Sequence, residues 1–214
     1  MNKFFSILLG ASLLAACGTS APESGHDHNH GSQASADLAD GLYAITKVAP
    51  KVTWSAEKLT GGGHQGTLEV SSGKFKVVDG TIQDGVVNFD MTQIAVTDLT
   101  GEEKTSLEGH LRSGDFFNVE THPTAVLTVN GIEGSTMSAI LDMNGVQVDY
   151  SIPVTISQTD VPGDQQGIAV TGKFKLDRTK HNITYRSQTF DDKLDWFIKD
   201  DVAVGFAVMG VPVR

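Results

Sequence analysis

From Leu42 to the end of the chain, apolar and polar residues exchange places one by one in short runs. Side chains switch faces with a period of two only in an extended strand, so the pattern commits this segment to half-buried β-strands. Val52, Trp54 and Ala56 share one face, with Thr53, Ser55 and Glu57 opposite. Val87, Phe89 and Met91 alternate with Asn88, Asp90 and Thr92, and Ala125, Leu127 and Val129 with Val126 and Thr128. The longest series is Val146, Val148, Tyr150, Ile152, Val154 and Ile156; Ile168, Val170, Gly172, Phe174 and Leu176 make another, and Val202, Val204, Phe206 and Val208 the last. Asp79-Gly80, Asp84-Gly85, Asn130-Gly131, Asn144-Gly145 and Pro162-Gly163 carry turn chemistry between the runs. Asp79-Gly80 and Asp84-Gly85 leave room for only a very short strand between them. Many short strands at this spacing predict an all-β fold, a sandwich or a closed antiparallel barrel.

One segment breaks the period. Thr100-Gly101-Glu102-Glu103 has the form of a capping box, and Leu107, His110 and Leu111 then share a helical face. Glu108 precedes Arg112 by four residues, and Gly114 offers a left-handed stop. A short helix is predicted near residues 101–113, covering an open end or a groove of the sheet.

The beginning of the chain reads as an address. Met1-Asn2-Lys3 is a basic start, Phe4 to Leu14 is mostly apolar, and Leu14-Ala15-Ala16-Cys17 follows. That tetrapeptide resembles the bacterial lipobox, which implies removal of residues 1–16 and lipidation of Cys17. An ordinary secretory signal with an incidental cysteine is the alternative. More than one acyl chain is needed for stable anchoring, and lipidation with amino-terminal acylation supplies them. Gly18 rather than Asp after the cysteine points to the outer membrane, on its periplasmic face. Residues 17–41 are then the lipidated Cys and a flexible linker poor in large apolar side chains. His26, His28 and His30, with Asp27, form either a weak metal tract or a polar linker that happens to be rich in histidine. Residues 42–214 form one domain.

Composition narrows the function. A formal charge of -10 argues against nucleic acid as a partner, and a single Cys excludes an intramolecular disulfide framework. Gly61-Gly62-Gly63-His64-Gln65-Gly66 satisfies a dinucleotide pattern by letter only, because the strand-like Thr67-Leu68-Glu69-Val70 follows it. His64, His110, His122 and His181 have no metalloprotease spacing, and there is no nucleophile elbow. No catalytic residue and no metal ligand is assigned to the domain.

The stretch from Gly109 to Ala125, with Ser113-Gly114-Asp115-Phe116-Phe117 and Thr121-His122-Pro123-Thr124 inside it, resembles the signature of the YceI-like polyisoprenoid-binding family. Trp54 with Lys58 and Gly62-Gly63-His64-Gln65-Gly66-Thr67 resembles the family's first hairpin. Leu141 to Pro153 resembles its central strand pair, and Phe174 to Ile183, with Asp177-Arg178, its late motif. Two residues depart from the pattern in the late loop: His181 stands where an aromatic residue is expected, and Arg186 where a glycine is expected.

The resemblance implies a lipocalin-like eight-stranded antiparallel barrel whose lumen takes a long isoprenoid chain. Trp54, Phe89, Met91, Tyr150, Ile152, Phe174, Phe206 and Val208 are then candidate ligand-binding residues along the lumen, with Phe116 and Phe117 at its mouth. Asp177 and Arg178 would form a buried pair that fixes the late loop, or a head-group contact. At about 0.8 kcal/mol per buried methylene, ten enclosed carbons contribute roughly 8 kcal/mol before ordering costs. The residues alone leave a second arrangement open, in which the same side chains fill the interior and no lumen remains.

The expected function is therefore a non-catalytic envelope lipoprotein that carries or stores a polyisoprenoid or similar long-chain lipid. No cofactor is expected beyond a bound isoprenoid lipid or quinone. The expected partners are that lipid, the membrane through the anchor, and a second copy, since barrels of this family can pair. An enzyme of the stress response using quinone or metal through clustered histidines is the alternative. A surface module with a filled interior is a third.

Overall fold

Four tight hairpins set the architecture, and their turns follow the backbone each residue tolerates. Gly63–Val78 (β3) returns as Thr81–Val96 (β4) through Asp79-Gly80, both at positive φ. Thr136–Met143 (β6) returns as Val146–Val161 (β7) through Asn144 and Gly145 in the same conformation. These are the left-handed pairs that match the twist of a hairpin. Thr124–Glu133 (β5) turns into β6 at Gly134-Ser135, and β7 into Gln165–Asp177 (β8) after Pro162-Gly163. Gly41–Ile45 (β1), Lys51–Glu57 (β2) and Asp201–Pro212 (β9) complete the sheet. The computed structural model describes residues 38–46, 51–163, 165–193 and 195–213. Cys17, His26, His28 and His30 lie outside them.

Every strand pair is antiparallel, and the sheet closes on itself. β3 pairs with β4 on one side and with both β1 and β2 on the other, and β9 pairs with β8 and again with both β1 and β2. β2 faces Gly63–Leu68 and Ala203–Ala207; β1 faces Lys74–Val77 and Gly210–Pro212. The two short strands therefore occupy successive stretches of one strand position, and nine strands make an eight-position barrel. β3, β4 and β7 are each 16 residues long, about 50 Å at strand rise, so the barrel is deep.

Two expected turns are absent. Asp84-Gly85 lies inside β4, which runs unbroken from Thr81. Gly85 is there because its cross-strand partner is Phe75: a Cβ at Gly85 would lie 2.9 Å from that of Phe75. Asn130-Gly131 lies inside β5, where the register slips between Val129 and Gly131 and Gly131 takes φ +146. A glycine that makes a bulge and one that makes a turn look alike in sequence.

The helix α1 spans Gly101–Arg112. Its start differs from a capping box, because Thr100 makes no side-chain cap; Gly101 instead turns the chain at φ +59. Its end also differs: Ser113, in an extended conformation, returns its N–H and hydroxyl to the His110 carbonyl, and Gly114 is not left-handed. Glu108 accepts from the Val96 N–H and from Lys104, and faces Arg112 at 3.9 Å. Arg112 donates to the carbonyls of Thr92 and Ile94, so α1 is pinned to the end of β4.

The opposite end of the barrel is packed shut. The rings of Tyr43 and Phe75 stack in parallel with centroids 5.3 Å apart, beside buried Val77, Ile82, Met137 and Ile168. Leu38, the first described residue, joins this cluster.

Candidate functional site

The inward faces predict a continuous core, yet many of the large apolar side chains on them are not fully buried. Leu68, Phe89, Leu127, Phe174, Val204, Phe206 and Val208 all point inward and all keep accessible surface. Inward residues in a filled barrel lose that surface. Here they face a cavity of about 450 Å³. Its wall is almost wholly hydrocarbon and runs from Ile132 and Met137 deep in the barrel to Leu107, Leu111, Tyr185 and Trp196 at the α1 end. An apolar void of roughly 150 Å³ already binds benzene.

Glycines keep the interior open to rings without distorting the wall. Phe206 lies over its cross-strand partner Gly172, where a Cβ would meet the ring at 2.5 Å. Trp54 lies over Gly66 in the same way, with a Cβ 2.5 Å from the indole.

Trp54, Phe89, Met91, Phe116, Phe117, Ile152, Phe174, Phe206 and Val208 all stand on the cavity wall. Tyr150 does not. Its hydroxyl bonds to His181 Nε2 at 3.0 Å and its ring packs edge-on against Phe174 at 5.5 Å. A buried phenol goes where its hydroxyl finds a partner. Burial, then the nearby Asp177 carboxylate, pushes its pKa up to about 12. Leu68, Leu127 and Val204 also line the wall, and their alternation would have found them. Tyr185, Trp196 and Ile198 line it from the β8–β9 connection, where no period marks them.

The mouth is built by α1, the Phe116-Phe117 segment and that connection. Arg178 holds the connection in place. Buried at 3% exposure, its Nε donates to the Lys199 carbonyl (3.1 Å), Nη1 to Ile183 (2.8 Å) and Nη2 to Ile198 (3.1 Å). Its ionic partner is Asp200 at 3.4 Å, not the adjacent Asp177, whose carboxylate accepts from the Thr179 N–H and hydroxyl and caps a short 3-10 turn, Arg178–His181. Burial pulls the guanidinium pKa down, against the attraction of Asp200 and Asp177.

The histidines do not converge. His64 bonds to Asp98 (3.0 Å), His110 to Asp115 (3.0 Å) and His181 to Tyr150 and the Val146 carbonyl, while His122 packs beside Gly145. Among the described residues no three His, Cys, Asp or Glu side chains are grouped to hold a metal ion. Burial pulls the His181 pKa below its ordinary value, so this imidazole is neutral and joins two partners as donor and acceptor.

A closed, deep antiparallel barrel with one helix at its mouth and a hydrocarbon-walled cavity is the lipocalin-like class of architecture. Within that class the sequence profile of the YceI-like domain matches residues 43–209, and the chain belongs to that family. Two solved structures share the fold. A polyisoprenoid-binding domain from Saccharophagus degradans, implicated in plant cell wall breakdown, is 16% identical with a TM-score of 0.62, over 80% of this chain and 98% of that one. BcnA from Burkholderia cenocepacia is 15% identical with a TM-score of 0.61, over 77% of this chain and 98% of that one. No curated protein sequence gives a significant match.

Proposed function

We propose that the barrel holds one long-chain lipid, an isoprenoid chain being the favoured class, and that it carries or stores this lipid without catalysing a reaction on it. The cavity carries the reading. Its wall is almost wholly hydrocarbon and offers a slender apolar guest a good solvent. The Saccharophagus degradans domain, which shares the fold, is a polyisoprenoid-binding protein, and that supports an isoprenoid tail here. The lipobox-like Leu14-Ala15-Ala16-Cys17 supports a place in the cell envelope, anchored through lipidated Cys17 and facing the periplasm at the outer membrane.

Leu127 packs against three of the apolar clusters that surround the cavity, so it marks the middle of the barrel. Titration of the full chain with geranylgeraniol, followed by tryptophan emission, tests the proposal. Saturable binding with one site per chain, abolished in Leu127→Trp, is the expected result. Absence of saturation, or equal binding by the variant, overturns it.

A further inference from the structure

The outer face of a solvated antiparallel barrel is mostly polar, but β9 breaks that rule. Val202, Val204, Phe206 and Val208 line the cavity, so Ala203, Gly205, Ala207, Met209 and Val211 face outward, and none carries a polar side chain. The strip widens onto β1, where Ala44 is the cross-strand partner of Val211, and onto β8, where Ala169 is the partner of Met209. Thr53 flanks it on β2, with its hydroxyl given to the Gly205 carbonyl. The strip ends on Leu42 and Val213, which are 44% and 50% exposed and joined by a bond from the Val213 N–H to the Leu42 carbonyl. From Ala203 to Val213 it runs about 33 Å at strand rise.

Lysines frame this strip. Lys74 and Lys76 are the cross-strand partners of Ala44 and Leu42, and Lys173 and Lys175 are those of Gly205 and Ala203. Direct partners share a face, and all four residues are exposed. Among the described residues only Lys175 of these has an ion pair, with Asp201 at 3.5 Å; Lys76 stands opposite Asp84 without closing one. The other half of the barrel reverses the charge. β4, β5, β6 and β7 contain no Lys or Arg and carry Asp84, Asp90, Glu133, Asp142, Asp149 and Asp160. A chain of net charge -10 thus gathers lysines around an apolar outer strip.

We infer that this side of the barrel is a docking face for an anionic phospholipid bilayer, with the apolar strip against the interface and the lysines among the head groups. The inference is independent of what the lumen holds. Lysine stems lie along apolar surface while their ammonium groups reach an anionic layer. Apolar area and positive charge together hold a surface-lying element on such a membrane. A second copy of the chain fits less well, because an isologous contact would set one lysine frame against another.

A polarity-sensitive fluorophore tests it. The label is attached through Ala207→Cys in the full chain bearing Cys17→Ser, and through Thr128→Cys, outward and exposed on β5 in the acidic half, as the control. Vesicles of phosphatidylcholine alone, and of phosphatidylcholine mixed with phosphatidylglycerol, are titrated in. The expected result is a blue shift at the Ala207→Cys site with the mixed vesicles, absent at the Thr128→Cys site and weakened by added salt. Lys76→Gln/Lys173→Gln/Lys175→Gln is expected to weaken that binding more than about tenfold, with an unchanged urea midpoint because all three positions are exposed. Equal shifts at the two labelled sites, an equal response to the two kinds of vesicle, equal binding by the lysine variant, or no shift at all overturns the docking face. A shift at the Ala207→Cys site that grows with protein concentration without vesicles, together with a dimer in sedimentation, overturns it in favour of a second copy.

Discussion

Two buried polar residues, Arg178 and His181, tie the start of the β8–β9 connection to its surroundings by hydrogen bonds. Arg178 supplies donors to carbonyls that the β8–β9 connection would otherwise leave unsatisfied. Arg178→Ala is expected to cost about 2–4 kcal/mol in urea unfolding; a loss below 0.5 kcal/mol, roughly the scale of an ordinary surface substitution, would contradict that role. His181 gives the fold a pH dependence. Its folded pKa is lowered from 6.5, so below about that pH the unfolded chain takes up a proton that the folded chain resists. Its contribution is complete above 6.5 and declines as the pH falls toward the folded pKa. Urea midpoints of wild type and His181→Phe at pH 7.5 and pH 5.5 check this. The wild type is expected to lose more stability on acidification than the variant. Identical losses would contradict it.

At the level of elements, the alternating runs were legible because each strand has one wet face, and the inward residues of β2, β4, β5, β7, β8 and β9 fall on the predicted side. The glycine turns at Asp79-Gly80, Asn144-Gly145 and Pro162-Gly163 were legible too, but Gly85 and Gly131 were not, because a sequence does not say what a missing Cβ is for. Asp79-Gly80 and Asn144-Gly145 turn the chain, Gly131 makes a bulge, and Gly85 and Gly210 make room for Phe75. Gly210→Ala would place a Cβ 2.4 Å from the Phe75 ring at the closed end. A loss of about 1–3 kcal/mol in thermal or chemical unfolding is expected; an unchanged midpoint would show that the end is loosely packed. The helix was legible by its period, while its cap was not, since Gly101 replaces the role expected of Thr100. Tyr150 has the right parity for the lumen, but its hydroxyl follows His181, a partner 31 residues away. Trp196 and Tyr185 reach the mouth from an aperiodic connection, which only the closed barrel places there.

For the whole molecule, the decisive property is asymmetry along the barrel axis. One end is sealed by the Tyr43–Phe75 stack, and the other opens between α1 and the β8–β9 connection. The central claim is that this interior is occupied by a single hydrocarbon chain. Native mass spectrometry of the full chain purified from its own cells tests it most directly. One lipid per chain, retained under native conditions, released on denaturation and missing from Leu127→Trp, is the result this account predicts. A wild-type chain that carries no lipid, or a Leu127→Trp chain that carries the same one, would contradict it.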